Sequence, residues 1–293
     1  MINLRPATRR AAVLLLLFCA LLWSSAGVIT RHVTDVEGME LTFWRSFFCA
    51  LTLLPILALH ERGNPLRPVL AMGWTGLASG LMWAVMFTCF MIAIARTSVA
   101  NVLLVVGLAP FLAAVAAWLV LRERIGRTTW VAIALAALGV WWMVREGVST
   151  DGLQGMLIAL GVPLASATNL VMLRKMGAKL DLAPAVLVGA LLSCAISLPF
   201  AWPFNAGAYD LLLLAILGAF QLALPCWLMV GAANRLAPHE VALIALLEVV
   251  LGPLWTWLGA GEALPMATLQ GGVVIIAALV GNAMLQPRRA VVT

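Results

Sequence analysis

Charge is what this sequence has least of. Only 10% of its 293 residues are Asp, Glu, Lys or Arg, while 64% are apolar and the mean hydropathy is +1.07. A soluble domain carries roughly 25% charged residues, so a soluble fold is excluded and the chain is embedded in a bilayer. Histidine is scarce as well: His32, His60 and His239 all lie near the edges of apolar runs. There is no P-loop, no HExxH and no GxSxG, so ATP-driven transport within this chain is excluded. Any coupling comes from an ion gradient or from the solute's own gradient. The five cysteines, Cys19, Cys49, Cys89, Cys194 and Cys226, fall in five different apolar runs without CxxC or metal-ligand spacing. They read as small buried residues, and neither a metal nor a cofactor is expected. The net charge of +6 does not point to nucleic acid, because the basic residues come singly or in twos and threes with no basic face.

What is present is a series of long apolar runs. A bilayer core takes about 20 residues of helix, and ten runs bounded by charges, Pro or Gly meet that length: Ala11 to Thr30, Leu41 to Leu59, Val69 to Ala95, Ser98 to Leu121, Thr129 to Val144, Gly152 to Leu173, Ala183 to Ala201, Tyr209 to Ala233, Pro238 to Leu258 and Met266 to Leu285. We number them helices 1 to 10. The run after Arg9 and Arg10 mimics a cleavable signal peptide, but it continues through Val28 and Ile29 and reads as a signal anchor. The runs lack the alternation of a transmembrane barrel, and the short connections leave no room for a soluble domain. The expected fold is all-α: a bundle of ten transmembrane helices.

The basic residues set the orientation. With the N-terminus cytoplasmic, the inner side holds fourteen: Arg5, Arg9, Arg10, Arg62, Arg67, Arg122, Arg124, Arg127, Arg174, Lys175, Lys179, Arg235, Arg288 and Arg289. The outer side holds three, Arg31, Arg96 and Arg145, so both termini are placed inside. The outer acidic residues Asp35, Glu37, Glu40, Glu146 and Asp151 do not alter this count. A shift of 139 residues puts Arg96 on Arg235, Leu104 on Leu243, Leu108 on Leu247, Trp118 on Trp257, Leu119 on Leu258 and Glu123 on Glu262. Two five-helix repeats follow, residues 1–148 and 149–293, and because five is odd they are inverted relative to each other.

The best-aligned part of the repeat is NVLLVVGLAPFLAAVAAWLVLRE against EVALIALLEVVLGPLWTWLGAGE. These stretches, with LLWSSAGVITR of helix 1 and FWRSFFCALTLLP of helix 2, resemble the drug/metabolite transporter superfamily, and within it the EamA-type ten-helix exporters. The resemblance implies a basket of helices with a cavity lined mainly by helices 1, 3, 4, 6, 8 and 9, helices 5 and 10 being peripheral. It implies export of small organic metabolites, including aromatic amino acids in some members. One departure is that Glu248 is followed by Val249, with Pro253 further on, which displaces any hinge in helix 9.

Glu248 is the most informative residue. An ionised carboxylate at mid-bilayer costs about 2.5–3.5 kcal/mol, so it is partnered or protonated. It stands either as a proton-coupling or substrate-ammonium site, or as a structural carboxyl tying helix 9 to a neighbour. Arg45, near the outer end of helix 2, is read as snorkelling to the interface; the alternative is a cavity mouth that attracts a carboxylate. The candidate solute-binding residues are Trp23 and Ser24 (with Ser25) on helix 1, Ser79 and Trp83 on helix 3, Asn101 on helix 4, Pro163, Ser166 and Asn169 on helix 6, Gln221 on helix 8 and Glu248 itself. About half of the polar ones are expected to be helix-to-helix hydrogen-bond partners instead. Trp23 and Trp83 offer aromatic faces to flat or cationic solutes, whereas Trp44, Trp130, Trp141 and Trp142 read as an interfacial belt. Candidate hinges are Gly107 and Pro110 in helix 4, Pro225 in helix 8, and Gly252 and Pro253 in helix 9. Gly76 and Gly80 form a GxxxG packing pair, and Glu123 and Glu262 read as caps or ion-pair partners.

The expected function is a secondary transporter exporting small organic solutes, amino acids first, by alternating access. Cationic drugs or nucleotide-type metabolites are the alternative cargo. An intramembrane enzyme predicts His, Asp or Arg clustered at one interface, which the sequence lacks; a scaffold is the remaining alternative. The expected partners are the solute and the lipid bilayer, with the chain a monomer or homodimer.

Overall fold

The structure, a computed structural model, describes residues 6, 8–36, 38–60, 64, 66–97, 99–145, 152–176, 181–261 and 263–285. Outside the described residues lie Arg5, Arg62, Lys179, Arg288, Arg289, Glu37, Glu146, Asp151, Glu262 and the expected boundary between residues 148 and 149.

Among the described residues ten helices are long and apolar enough to cross a membrane, one for each run. They are Arg9–Thr30, Gly38–Leu59, Gly73–Ala93, Asn101–Leu121, Arg127–Val144, Leu153–Met176, Pro184–Ala201, Ala208–Ala233, Pro238–Ala260 and Met266–Leu285, helices 1 to 10 in order. The same residues contain no strand. Helix is the form in which such a run satisfies its own backbone where no water can.

Four of the ten are interrupted, and they are the counterparts of one another in the two repeats. Helix 1 breaks at Ser25 into 1a (Arg9–Ser24) and 1b (Ala26–Thr30). There Ser24 and Ser25 each donate Oγ back to a carbonyl one turn earlier, at 2.7 Å, a habit that bends helices. Helix 6 breaks at Leu160 into 6a (Leu153–Ala159) and 6b (Gly161–Met176). Pro163, which has no N–H for the Ala159 carbonyl, accounts for that break. Helix 4 breaks at Gly107 and Leu108 into 4a (Val99–Val106) and 4b (Ala109–Ala116), with Pro110 the second residue of 4b, where a missing N–H costs least. Helix 9 breaks at Leu246 into 9a (Pro238–Ala245) and 9b (Leu247–Ala260), leaving Gly252 and Pro253 inside the regular part of 9b. The 139-residue shift carries Gly107 onto Leu246, so the breaks in helices 4 and 9 fall at equivalent positions.

The bundle is drawn together on one side. On the face where helix 1 begins, 4b, 6b and 9a pack against one another and 1a packs on 9a. Ion pairs fasten the same face: Arg9 donates to Glu240 at 2.7 Å, and Arg174 donates to Glu123 at 3.5 Å and to the Asn234 carbonyl at 2.8 Å. Beyond the interruptions, 4a packs on helices 3, 5 and 6a, whereas 9b packs on helices 1 and 10. Toward the far face 4a and 9b therefore part from each other.

Helices 5 and 10 lie against each other at the edge, and glycine makes the approach possible. A Cβ on Gly139 would lie 2.7 Å from Ile275 Cγ1 and 2.9 Å from the Gly271 carbonyl. Helices 2, 3 and 7 form a second tight group. A Cβ on Gly80 would meet Val188 of helix 7 at 2.6 Å, the close packing expected of the GxxxG pair. Ser193 of helix 7 accepts from Ser46 of helix 2 at 3.0 Å and shares a hydrogen bond with Thr88 of helix 3 at 3.3 Å. Interhelical bonds of this kind are worth about 0.6 kcal/mol each, so Ser193→Ala should cost only about 1 kcal/mol in a reversible unfolding titration in mixed micelles. A loss several times larger would mean that the three hydroxyls act as a cooperative unit.

Candidate functional site

Toward the parted side, residues from both repeats meet. Arg45 is the first correction to the sequence reading: it does not snorkel. Helix 2 begins at Gly38 rather than at Leu41, so Arg45 lies two turns below the helix end, about 10 Å along its axis. Its Nε donates to Gln221 Oε1 on helix 8 at 3.2 Å, and its Nη1 leans on Met91 Sδ of helix 3 at 3.7 Å. Helix 2 thus contributes to the interior, which the expected lining of helices 1, 3, 4, 6, 8 and 9 left out.

Local structure explains how Arg45 and Gln221 meet. Helix 8 widens into a π-helical stretch over Leu217–Ala223 just before Pro225, whose missing N–H leaves the Gln221 carbonyl without its usual donor. In that stretch sits Gly218, where a Cβ would lie 2.7 Å from the Arg45 carbonyl and 2.8 Å from the Cys49 nitrogen. The glycine lets helix 8 touch the backbone of helix 2. Gln221 then bridges onward, donating Nε2 to the Trp23 carbonyl of helix 1 at 3.4 Å.

Helix 9b closes the group from the other side. Glu248, Gly252 and Trp255 follow the i, i+4, i+7 spacing and so share one face. Trp255 Nε1 donates to Ser24 Oγ at 2.9 Å, and a Cβ on Gly252 would lie 3.8 Å from the Ser24 carbonyl. Glu248, in the first turn of 9b, is half-buried and within electrostatic range of Arg45. The sequence offered Glu248 no visible basic partner; the fold places one across the bundle, without a direct ion pair between the two.

The far-face end of this group is cross-braced. Glu40, 5% exposed in the first turn of helix 2, accepts through Oε1 from the Asn205 and Ala206 nitrogens at 2.8 and 3.0 Å and from Trp44 Nε1 at 3.3 Å. Its Oε2 accepts from Asn205 Nδ2 at 3.4 Å. Reciprocally, Asp210 at the start of helix 8 accepts from the Thr34 and Asp35 nitrogens at 3.1 and 3.2 Å. Helix N-termini favour both carboxylates. Trp44 also packs on Phe43 and Phe204, with ring centroids 5.2 and 4.9 Å away, so it is part of this brace.

The remaining candidates divide. Ser79 donates to Asn169 Oδ1 at 2.7 Å between helices 3 and 6, and both are buried. Asn169 Nδ2 and Trp83 Nε1 are buried without a hydrogen-bond partner among the described residues. This second polar group lies on the closed half of the bundle, apart from Arg45 and Glu248. Asn101 is buried and donates Nδ2 at 2.8 Å to Oγ1 of Thr97, the residue that caps the end of helix 3. Ser166 is half-buried, one turn after the buried Pro163. Gly107 packs against helix 5, where a Cβ would lie 2.7 Å from Val140 Cγ1. Sequence reasoning passed over Gly218, Met91, Glu40 and Trp255. The available signal was the i+7 spacing of Trp255 from Glu248; Gly218 carried none, since its meaning lies in what faces it. All five cysteines are free thiols.

The comparisons agree with this architecture. The pseudopaline exporter CntI of Pseudomonas aeruginosa is 25% identical over 290 residues, covering 92% of this chain and 95% of its own. Human solute carrier family 35 member G1 is 23% identical over 287 residues, covering 92% of this chain and 77% of its own. One protein crystal structure superposes with a TM-score of 0.81 over 97% of this chain and all of its own, at 18% identity, a likeness of fold alone. The family model for EamA-like transporters matches twice, at residues 10–145 and 153–284, one match for each set of five helices, and the chain belongs to the EamA-like transporter family.

Proposed function

We propose that this transporter exports small organic metabolites, amino acids including aromatic ones, across a bacterial inner membrane by alternating access. The paired interruption of helices 1 and 6 and of helices 4 and 9 carries the reading. Discontinuous helices at equivalent positions of inverted repeats are where secondary transporters build their sites and bend, and Glu248 opens one of these half-helices. The excess of basic residues on one side supports cytoplasmic termini; the ion-paired face is then the cytoplasmic one and the parted side faces outward. That one relative, CntI, is an exporter supports the direction. Trp23 and the half-buried Ser166 supply an aromatic face and a hydroxyl to the cavity wall.

Efflux from proteoliposomes loaded with a panel of amino acids, with and without a proton gradient, tests this. Flux of at least one aromatic member above that of empty vesicles is the expected result. No flux of any member would overturn the amino-acid reading. If Glu248 carries the coupling proton, Glu248→Gln exports at a rate indifferent to pH; retained pH sensitivity would move that role elsewhere.

A further inference from the structure

Resting on that reading, we infer that the site selects solutes bearing a carboxylate and a protonated amine on the same head, Arg45 taking the first and Glu248 the second. The inference starts from what each group lacks. A guanidinium has five N–H donors, and Arg45 spends Nε on Gln221 and offers Nη1 to a thioether, a weak acceptor. Its Nη2 side, which together with Nη1 forms the fork that matches a carboxylate, has no acceptor among the described residues. Glu248 accepts no hydrogen bond from any described residue.

Opposite charges left apart inside a bilayer ordinarily close on each other. Here both are held. Arg45 is fixed by Gln221, by Gly218 beneath it and by the Glu40 and Asp210 brace at the helix ends. Glu248 rides on 9b, whose same face is tied to helix 1 through Trp255 and Ser24. The two charges come from different repeats, so a solute touching both also spans the two halves that must move relative to each other. A zwitterion compensates both charges at once. A solute with a single charge leaves the other uncompensated at low dielectric, which works against its binding.

The test uses each side chain of the panel in three forms: the amino acid, the matching amine without its carboxylate, and the matching acid without its amine. Phenylalanine, phenethylamine and 3-phenylpropionate are one such set. In proteoliposomes the wild-type protein should carry the amino acid over either single-charge form by on the order of 100-fold or more. Arg45→Gln should narrow the gap to the amine and Glu248→Gln the gap to the acid, while Arg45→Lys restores part of the discrimination. Size-exclusion profiles check that the variants fold, and the wild-type ratio decides even if they do not. Carriage of an amine or an acid at the rate of its amino acid would overturn the inference and leave the transporter standing. Silence of all three forms for every side chain would overturn both readings.

Discussion

Glu40→Ala should yield a protein that no longer holds its far face together. The carboxylate is buried and accepts from the Asn205 and Ala206 backbone nitrogens, from Asn205 Nδ2 and from the Trp44 indole. Removing it leaves two peptide N–H groups and an indole N–H, all part-buried, without an acceptor, and an orphaned donor costs about 1–3 kcal/mol when fully buried. Water entering at the helix end recovers part of this, so the expected net loss is about 3 kcal/mol or more. In a detergent-solubilised sample that corresponds to a fall in Tm of roughly 6–12 °C. Glu40→Gln keeps one acceptor oxygen for the backbone nitrogens but brings two N–H donors where Asn205 already donates, so it should fall between. A thermal unfolding curve for Glu40→Ala indistinguishable from wild type would show that the brace is ornamental. Asp210, with two backbone donors only, should lose less when replaced by Ala.

The brace shows where the sequence was legible and where it was not. Ten helices, their inversion and the face on which each ends follow from run length and from the odd number of helices per repeat, because bilayer thickness and backbone satisfaction act on each run separately. The break in helix 4 was legible too, since Gly107 and Pro110 stand together. The break in helix 9 was not. Pro253 drew the reading to itself, yet the regular hydrogen bonding lapses at Leu246, and only equivalence to Gly107 through the repeat marks that position. Arg45 was misread by one helical turn. Snorkelling depends on the distance from the helix end, and the extra turn that begins at Gly38 and is anchored by Glu40 is held by contacts with the loop before helix 8. Such contacts join residues about 165 positions apart, which no local pattern records. Glu40 itself was noted only as an outer acid that does not count toward orientation.

The same distance in sequence hides Gly218, and Gly218→Leu should abolish transport. At that position a Cβ alone would lie 2.7 Å from the Arg45 carbonyl and 2.8 Å from the Cys49 nitrogen, so the obstacle is backbone, which cannot rotate aside. Helices 2 and 8 must separate, and the 3.2 Å bond from Arg45 Nε to Gln221 Oε1 lengthens with them. Arg45 then loses the hydrogen-bond partner that holds its guanidinium in place. Misplacement of a positioned group by about 1 Å is enough to cost on the order of 100-fold, so efflux in proteoliposomes should fall to the level of empty vesicles. The brace at the helix ends lies outside the clash, so the variant should remain folded at reduced Tm, the overpacking itself costing about 1–3 kcal/mol. Gly281→Ala, where a Cβ meets nothing within 4 Å, serves as the matched control and should export as wild type. Export by Gly218→Leu within a few-fold of wild type would mean that Arg45 does its work without Gln221, and that the widened turn of helix 8 serves packing alone.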